Sequence, residues 1–88
     1  MATTATGDAD RLSDEEYRDR LRDLPPSAKL VAKVLEIEAP LSQGQLAEES
    51  LLPDRTVRYA LTRLEDHGIV ESRHSFRDAR KQVYFLRT

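Results

Sequence analysis

An α+β fold, mainly helical, with a small helical bundle closed by a C-terminal β-hairpin, is predicted from three observations. Thr56-Val57, Ala60-Leu61 and Leu64-Glu65 form an amphipathic run that stops at Gly68. Ile69-Val70 then leads into a stretch rich in β-branched and aromatic residues. A short breaker, Leu51-Leu52-Pro53-Asp54, separates the run from the helix before it. Two helices joined so tightly must cross at a steep angle, which with the hairpin describes a winged helix-turn-helix preceded by an extra helix.

A chain of 88 residues, 39% hydrophobic and 34% charged, is one domain with a single modest core under a charged surface. The absence of cysteine excludes disulfides and thiolate metal sites. Short apolar stretches and a polar, acidic beginning predict neither a membrane span nor a secretory leader, so a cytoplasmic address is expected.

The net charge of −2 conceals a polarity. From Met1 to Pro26 seven acids face four arginines, leaving −3, whereas from Ser72 to Thr88 five bases face Asp78 alone, leaving +4. The positive field is therefore expected on the last hairpin. A salt-adapted source would explain eleven arginines against three lysines with abundant acids. Phosphate attraction would there be heavily screened, because the Debye length falls to about 3 Å at 1 M salt.

Residues 1–12 lack periodicity and are read as a disordered acidic tail. Residues 13–24 form an N-terminal helix: Ser13 is the N-cap, Glu16 its capping-box partner, and Leu12 with Tyr17 the hydrophobic staple. Tyr17, Leu21 and Leu24 make one narrow apolar stripe, expected either to build a homodimer or to fold back on the chain's own core. Residues 25–88 form the winged-helix unit. Its first helix, from about Ser27 to Ile37, turns Leu30, Val31, Val34 and Leu35 toward the core. Pro40 breaks it, and Leu41, Ser42, Gln45 and Leu46 signal a second capped helix running to about Ser50.

The following helix, about 53–67, has a proline and an acid at its start, both favourable there, and ends at a glycine suited to the left-handed C-cap. At 100° per residue, Leu61 and Leu64 fall within about 40° of Val57, with Ala60 beside them. Arg55, Tyr59 and Thr62 point away, with Arg58 and Arg63 on the flanks. Guanidinium, phenol and hydroxyl groups on one exposed face suit a DNA major groove, where arginine bonds guanine bidentately and hydroxyls meet bases or phosphates. Thr56 at the helix start joins this set. The alternative for the same face is a solvated surface.

The wing is expected over 69–87, with Asp78-Ala79-Arg80 at its turn. Arg77, Arg80 and Lys81 are placed to lie along phosphates or to put an arginine into a narrow minor groove, with Asp78 orienting Arg80. The alternative is an edge ribbon guarded by charge against aggregation.

From Ser27 to Leu86 the chain resembles the winged-helix core of the MarR family of transcription regulators. Thr56-Val57, Leu61, Leu64-Glu65 and Gly68-Ile69-Val70-Glu71 are similar to the family's recognition helix and its exit. Asp78-Ala79-Arg80 is similar to its Asp-x-Arg wing motif, in which the acid holds an arginine that enters the minor groove, and Leu86 follows at the usual distance. Family members carry further helices after the wing that build a dimer and a ligand pocket. With the chain stopping at Thr88, the resemblance implies DNA binding without effector sensing.

His67 and His74 are too separated to argue a metal site, and a helix-end hydrogen bond and a strand-surface position are their expected fates. The acid pairs Glu48-Glu49 and Glu65-Asp66 lie near no nucleophile or glycine-rich loop, so no catalysis and no cofactor is expected. The reading is a sequence-specific binder of double-stranded DNA, with Arg55, Thr56, Arg58, Tyr59, Thr62, Arg63, Arg77, Asp78, Arg80 and Lys81 as contact residues. No small-molecule ligand or membrane is implied. The rival reading, which the acidic pI of 5.6 favours, is a winged-helix protein-interaction module.

Overall fold

Local capping signals settle where two of the helices begin. In the computed structural model, which describes residues 11–78 and 80–88, Ser13 Oγ accepts from the Glu16 amide at 3.1 Å and the Ser13 amide donates to Glu16 Oε1 at 2.9 Å. This opens α1 (Asp14–Arg22), and a cap of this kind stabilises a helix by about 1 kcal/mol. Helix α2 (Pro26–Glu38) starts on Pro26, whose missing N–H costs nothing in the first turn. Strand β1 (Leu41–Ser42) leads into α3 (Gln43–Ser50), opened by the same reciprocal bonds between Ser42 and Gln45. Helix α4 (Asp54–Asp66) follows, then β2 (Val70–His74) and β3 (Gln82–Leu86).

The tail expected over residues 1–12 lies outside the described residues as far as residue 10. Leu12 belongs to the fold instead: its amide donates to the Arg87 carbonyl at 2.7 Å and its side chain packs against the core. Composition does not register a partner at the far end of the chain.

Strand β1 has no counterpart in the sequence reading, since two residues beside a proline show no alternation. It pairs antiparallel with β3, Leu41 opposite Tyr84 and Ser42 opposite Val83, giving the sheet order β1-β3-β2. Strands β2 and β3 pair from Val70 opposite Leu86 to His74 opposite Gln82.

Val57, Ala60, Leu61 and Leu64 of α4 are buried as the wheel predicts. On α2 the buried face is rotated from the expected one: Ala28 and Ala32 join Val31 and Leu35, while Val34 is half-buried and Leu30 exposed. Small side chains let α4 pack closely on α2, a preference that hydropathy alone does not reveal.

The Tyr17, Leu21 and Leu24 stripe turns inward. With 6, 7 and 3% of their surface exposed, these residues pack into the chain's own core, the second of the two arrangements expected for them. The Tyr17 hydroxyl donates to Glu36 Oε2 at 2.5 Å, docking α1 on α2, and burial followed by the Glu36 carboxylate pushes that phenol well above its ordinary pKa. Arg20 Nη1 donates to the His67 carbonyl at 3.0 Å, so α1 also places a cation at the negative end of α4.

That end is closed by Gly68 at φ +67°; a Cβ there would lie 2.8 Å from Arg20 Nη1. The Ile69 amide donates back to the Leu64 carbonyl at 2.9 Å, and the chain enters β2 directly. His67 Nδ1 lies 2.9 Å from the Arg63 carbonyl, the helix-end bond expected of it.

One unfavourable pair lies at the α2 and α3 ends. The neighbouring Glu49 carboxylate, then burial, hold Glu38 above the usual carboxylate range. A raised folded-state pKa contributes stability below the unfolded pKa and loses it as pH rises through the folded value. Glu38→Gln is therefore expected to raise the melting temperature at neutral pH. The gain should close near pH ~4, where carboxyls protonate, in thermal melts across that range; a pH-independent difference would exclude the charge origin.

Candidate nucleic-acid interface

The joint between α3 and α4 sets the presentation of the second helix. Leu51, exposed and left-handed at φ 63°, terminates α3 with its amide on the Ala47 carbonyl at 2.9 Å. The Leu52 amide donates to Ser50 Oγ at 3.3 Å, and Pro53 then caps α4 through its carbonyl, which accepts from the Thr56 and Val57 amides, each at 3.0 Å. With its apolar stripe buried, α4 displays Arg55, Arg58, Tyr59 and Thr62, all exposed. Thr56 is half-buried.

Two candidates on this face are already engaged. Thr62 Oγ1 donates to the Arg58 carbonyl at 3.0 Å, so its hydroxyl has only acceptor capacity to offer outward. Arg63, half-buried, donates from Nη1 to the Tyr59 hydroxyl at 3.0 Å and lies 5.8 Å from the ring centroid. Arg63 thus braces Tyr59 one turn back, as spacing i,i+4 allows, and leaves the phenol's own proton available to donate.

At the wing, the Ser75 amide donates to the Lys81 carbonyl at 2.8 Å and the Lys81 amide to the Asp78 carbonyl at 2.9 Å, closing the loop. Asp78 Oδ1 accepts from the Arg80 amide at 3.0 Å and lies 3.5 Å from Arg80 Nε. The acid and the arginine are thus in contact, while the Arg80 side chain stays 93% exposed.

Helix and wing meet across a continuous surface. Arg58, Thr62 and Glu65 of α4 line a groove of about 240 Å³ with Gln43 of α3 and Gln82 and Tyr84 of β3. Gln43, Gln82 and Tyr84 also line the adjoining groove of about 470 Å³, which carries His74, Arg80 and Lys81. Burial first, then the Glu65 carboxylate, push the Tyr84 phenol above its ordinary pKa, while Arg58 pulls it down. These three groups share one electrostatic neighbourhood.

Not every candidate joins this surface. Arg77 lines a separate groove of about 510 Å³ with Pro40, Arg73, Phe76 and Val83. Side chains alternate along a strand: Val83, Phe85 and the opposed Arg73 and Glu71 form the outer face, whereas Gln82 and Tyr84 face the helices. Two more cations of the basic hairpin are held on the outer side. Arg73 lies 5.1 Å from the Phe85 ring centroid, and Arg87 Nε lies 3.4 Å from Glu71 Oε2. The net +4 of the hairpin is thus divided between two faces, and the inner one carries Arg80 and Lys81.

Gln43, Gln82 and Tyr84 escaped the sequence reading, and Glu65 entered it only in the resemblance and as an acid without a catalytic role. A usable signal existed for two of them: Gln82 and Tyr84 occupy the i,i+2 positions that continue the inward face of β3 past the core. Among the described residues no group of three or more His, Cys, Asp or Glu side chains could hold a metal ion. No helix among them is long and apolar enough to cross a membrane.

A family model described as the MarR family matches residues 22–81. No curated protein matches the sequence. Among solved structures, a probable transcriptional regulator from Pseudomonas aeruginosa aligns with TM-score 0.71 at 19% identity, covering 83% of this chain and 59% of that one. The transcriptional regulator Tm0710 from Thermotoga maritima aligns with TM-score 0.68 at 25% identity, over 81% of this chain and 51% of that one. The S. aureus MepR-DNA complex aligns with TM-score 0.70 at 19% identity, over 84% and 63%. The chain spans about half the length of the structures it resembles.

Proposed function

This chain belongs to the MarR family, and we propose that it binds double-stranded DNA sequence-specifically as a small, non-catalytic transcription regulator of the cytoplasm. The observation that carries the reading is the unbroken surface from Arg58 and Thr62 through Gln43, Gln82 and Tyr84 to Arg80 and Lys81. A solved relative in complex with DNA supports the choice of partner.

In this reading α4 lies in the major groove. Arg55 and Arg58 supply guanidinium forks for guanine O6 and N7, and Thr62 accepts from an exocyclic amine. Tyr59, braced by Arg63, donates to a phosphate oxygen, so Arg63 acts as a positioning residue. Gln43 sits in the first turn of α3, where the positive end of the helix favours a phosphate. Arg80, aimed by Asp78, and Lys81 neutralise the neighbouring backbone at the minor groove. A homodimer, if formed on DNA, uses a surface other than the Tyr17 stripe.

Selection from random duplexes across a range of salt tests the function: enrichment of a defined site supports it, and no enrichment at any salt overturns it. Arg80→Ala is expected to lower the magnitude of the log-affinity against log-salt slope by about one phosphate-equivalent. Asp78→Ala keeps the Arg80 charge and releases its orientation, so affinity should fall with Arg80 still contributing to the slope. Parent-like affinity and slope for both variants would remove the wing from the mechanism.

A further inference from the structure

Phe76, at the tip of the wing, is fully exposed. The same hairpin covers Phe85, half-buried with the Arg73 guanidinium at its ring, so this fold has the means to shelter an aromatic and does not use them on Phe76. Leaving a phenylalanine in water forgoes about 1.5–3 kcal/mol of burial. The tip is also held in place. The Arg77 amide donates to Ser75 Oγ at 3.2 Å, spanning Phe76, inside the loop closed by the Ser75 and Lys81 backbone bonds.

We propose that Phe76 is a minor-groove wedge: its ring enters between two base pairs beside Arg77, partly unstacks them and kinks the duplex. The inference rests on the duplex-binding reading above and adds to it a residue that deforms the DNA. Charge placement favours this occupant. Arg77 stands with Phe76 on the outer side of the wing loop and Arg80 with Lys81 on the inner side, so a loop seated in a narrow groove would offer cations to the phosphates of both walls. Size favours it as well. One phenylalanine covers about 150–250 Å², far below the roughly 800 Å² per partner of a stable protein interface, whereas a wedge requires a single ring.

The chain contains no tryptophan, so Phe76→Trp installs a sole reporter. On a duplex of about 30 base pairs, some three helical turns, carrying the selected site, its fluorescence is expected to be quenched on binding. Phe76→Ala should lower affinity about tenfold through lost stacking. The salt slope should stay at the parent value, because no charge is removed. The bend measured by end-to-end energy transfer should fall by about 20° or more. A parent that bends the duplex no more than Phe76→Ala, or a Phe76→Trp emission unaltered by DNA, overturns the wedge while duplex binding stands. Failure of the parent to bind any duplex overturns both. A parent that dimerises and a Phe76→Ala variant that does not, with equal DNA bending, would assign the ring to a second copy and likewise overturn the wedge.

Discussion

Arg58→Ala is expected to weaken binding to the selected duplex roughly 5- to 150-fold, the cost of losing one bidentate base contact. Arg58 is exposed at the middle of α4 and lines the groove that joins helix to wing, with Thr62 one turn along the same helix and Gln43 of α3. Its carbonyl is held by Thr62, while its side chain is displayed outward from a helix anchored by Val57, Leu61 and Leu64. Discrimination should be lost at one base pair of the site and kept at the others, which titration of single-base operator variants would reveal. The melting temperature should scarcely change, because an exposed substitution of this kind stays within about ±0.5 kcal/mol. Parent-like affinity with an unchanged base preference would take Arg58 out of the readout.

Leu64→Ala is expected to destabilise the domain by about 2–5 kcal/mol. Leu64 is completely buried, on the helix that packs against α2, α3 and β2 together. It also precedes the turn in which its carbonyl receives the Ile69 amide, so a cavity there loosens the join of helix to wing. Against a total stability of about 5–15 kcal/mol for a domain, the loss is a large share of the whole. At about 4–8 °C per kcal/mol for a chain of this size, the midpoint should drop by at least about 8 °C. Denaturant melts monitored by circular dichroism measure it directly, and a loss under about 1 kcal/mol would mean that neighbouring side chains collapse into the space.

The two effects are separable because they act at different levels. Arg58→Ala should alter binding in a folded protein, whereas Leu64→Ala should alter the folded fraction and bind normally once corrected for it. Together they test whether the buried stripe of α4 serves to hold its outer face toward the groove.

Much of this arrangement was legible in local pattern. Ser13 with Glu16 and Ser42 with Gln45 announced two helix starts, and the reciprocal bonds are present at both. Period 3.6 identified the buried side of α4, and the Asp78-x-Arg80 spacing identified the contact at the wing. Such features are readable because their partners lie within four residues and depend on backbone geometry alone. The rotated face of α2 was not legible, because Ala28 and Ala32 are buried by the close approach of another helix. Strand β1 exists through β3, which lies far along the chain.

What the sequence by itself determined is therefore the inventory: where helices start and stop, which side of α4 is apolar, and a positive charge concentrated in the last hairpin. What only the tertiary structure decided is company. It turned the Tyr17, Leu21 and Leu24 stripe into the chain's own core, bridged helix to wing with Gln43, Gln82 and Tyr84, and divided Arg77 from Arg80 across two sides of one ribbon. The physical reason is range: capping and periodicity act within a turn of helix or a pair of strand residues, while the neighbours of a side chain across a groove depend on how separate elements pack.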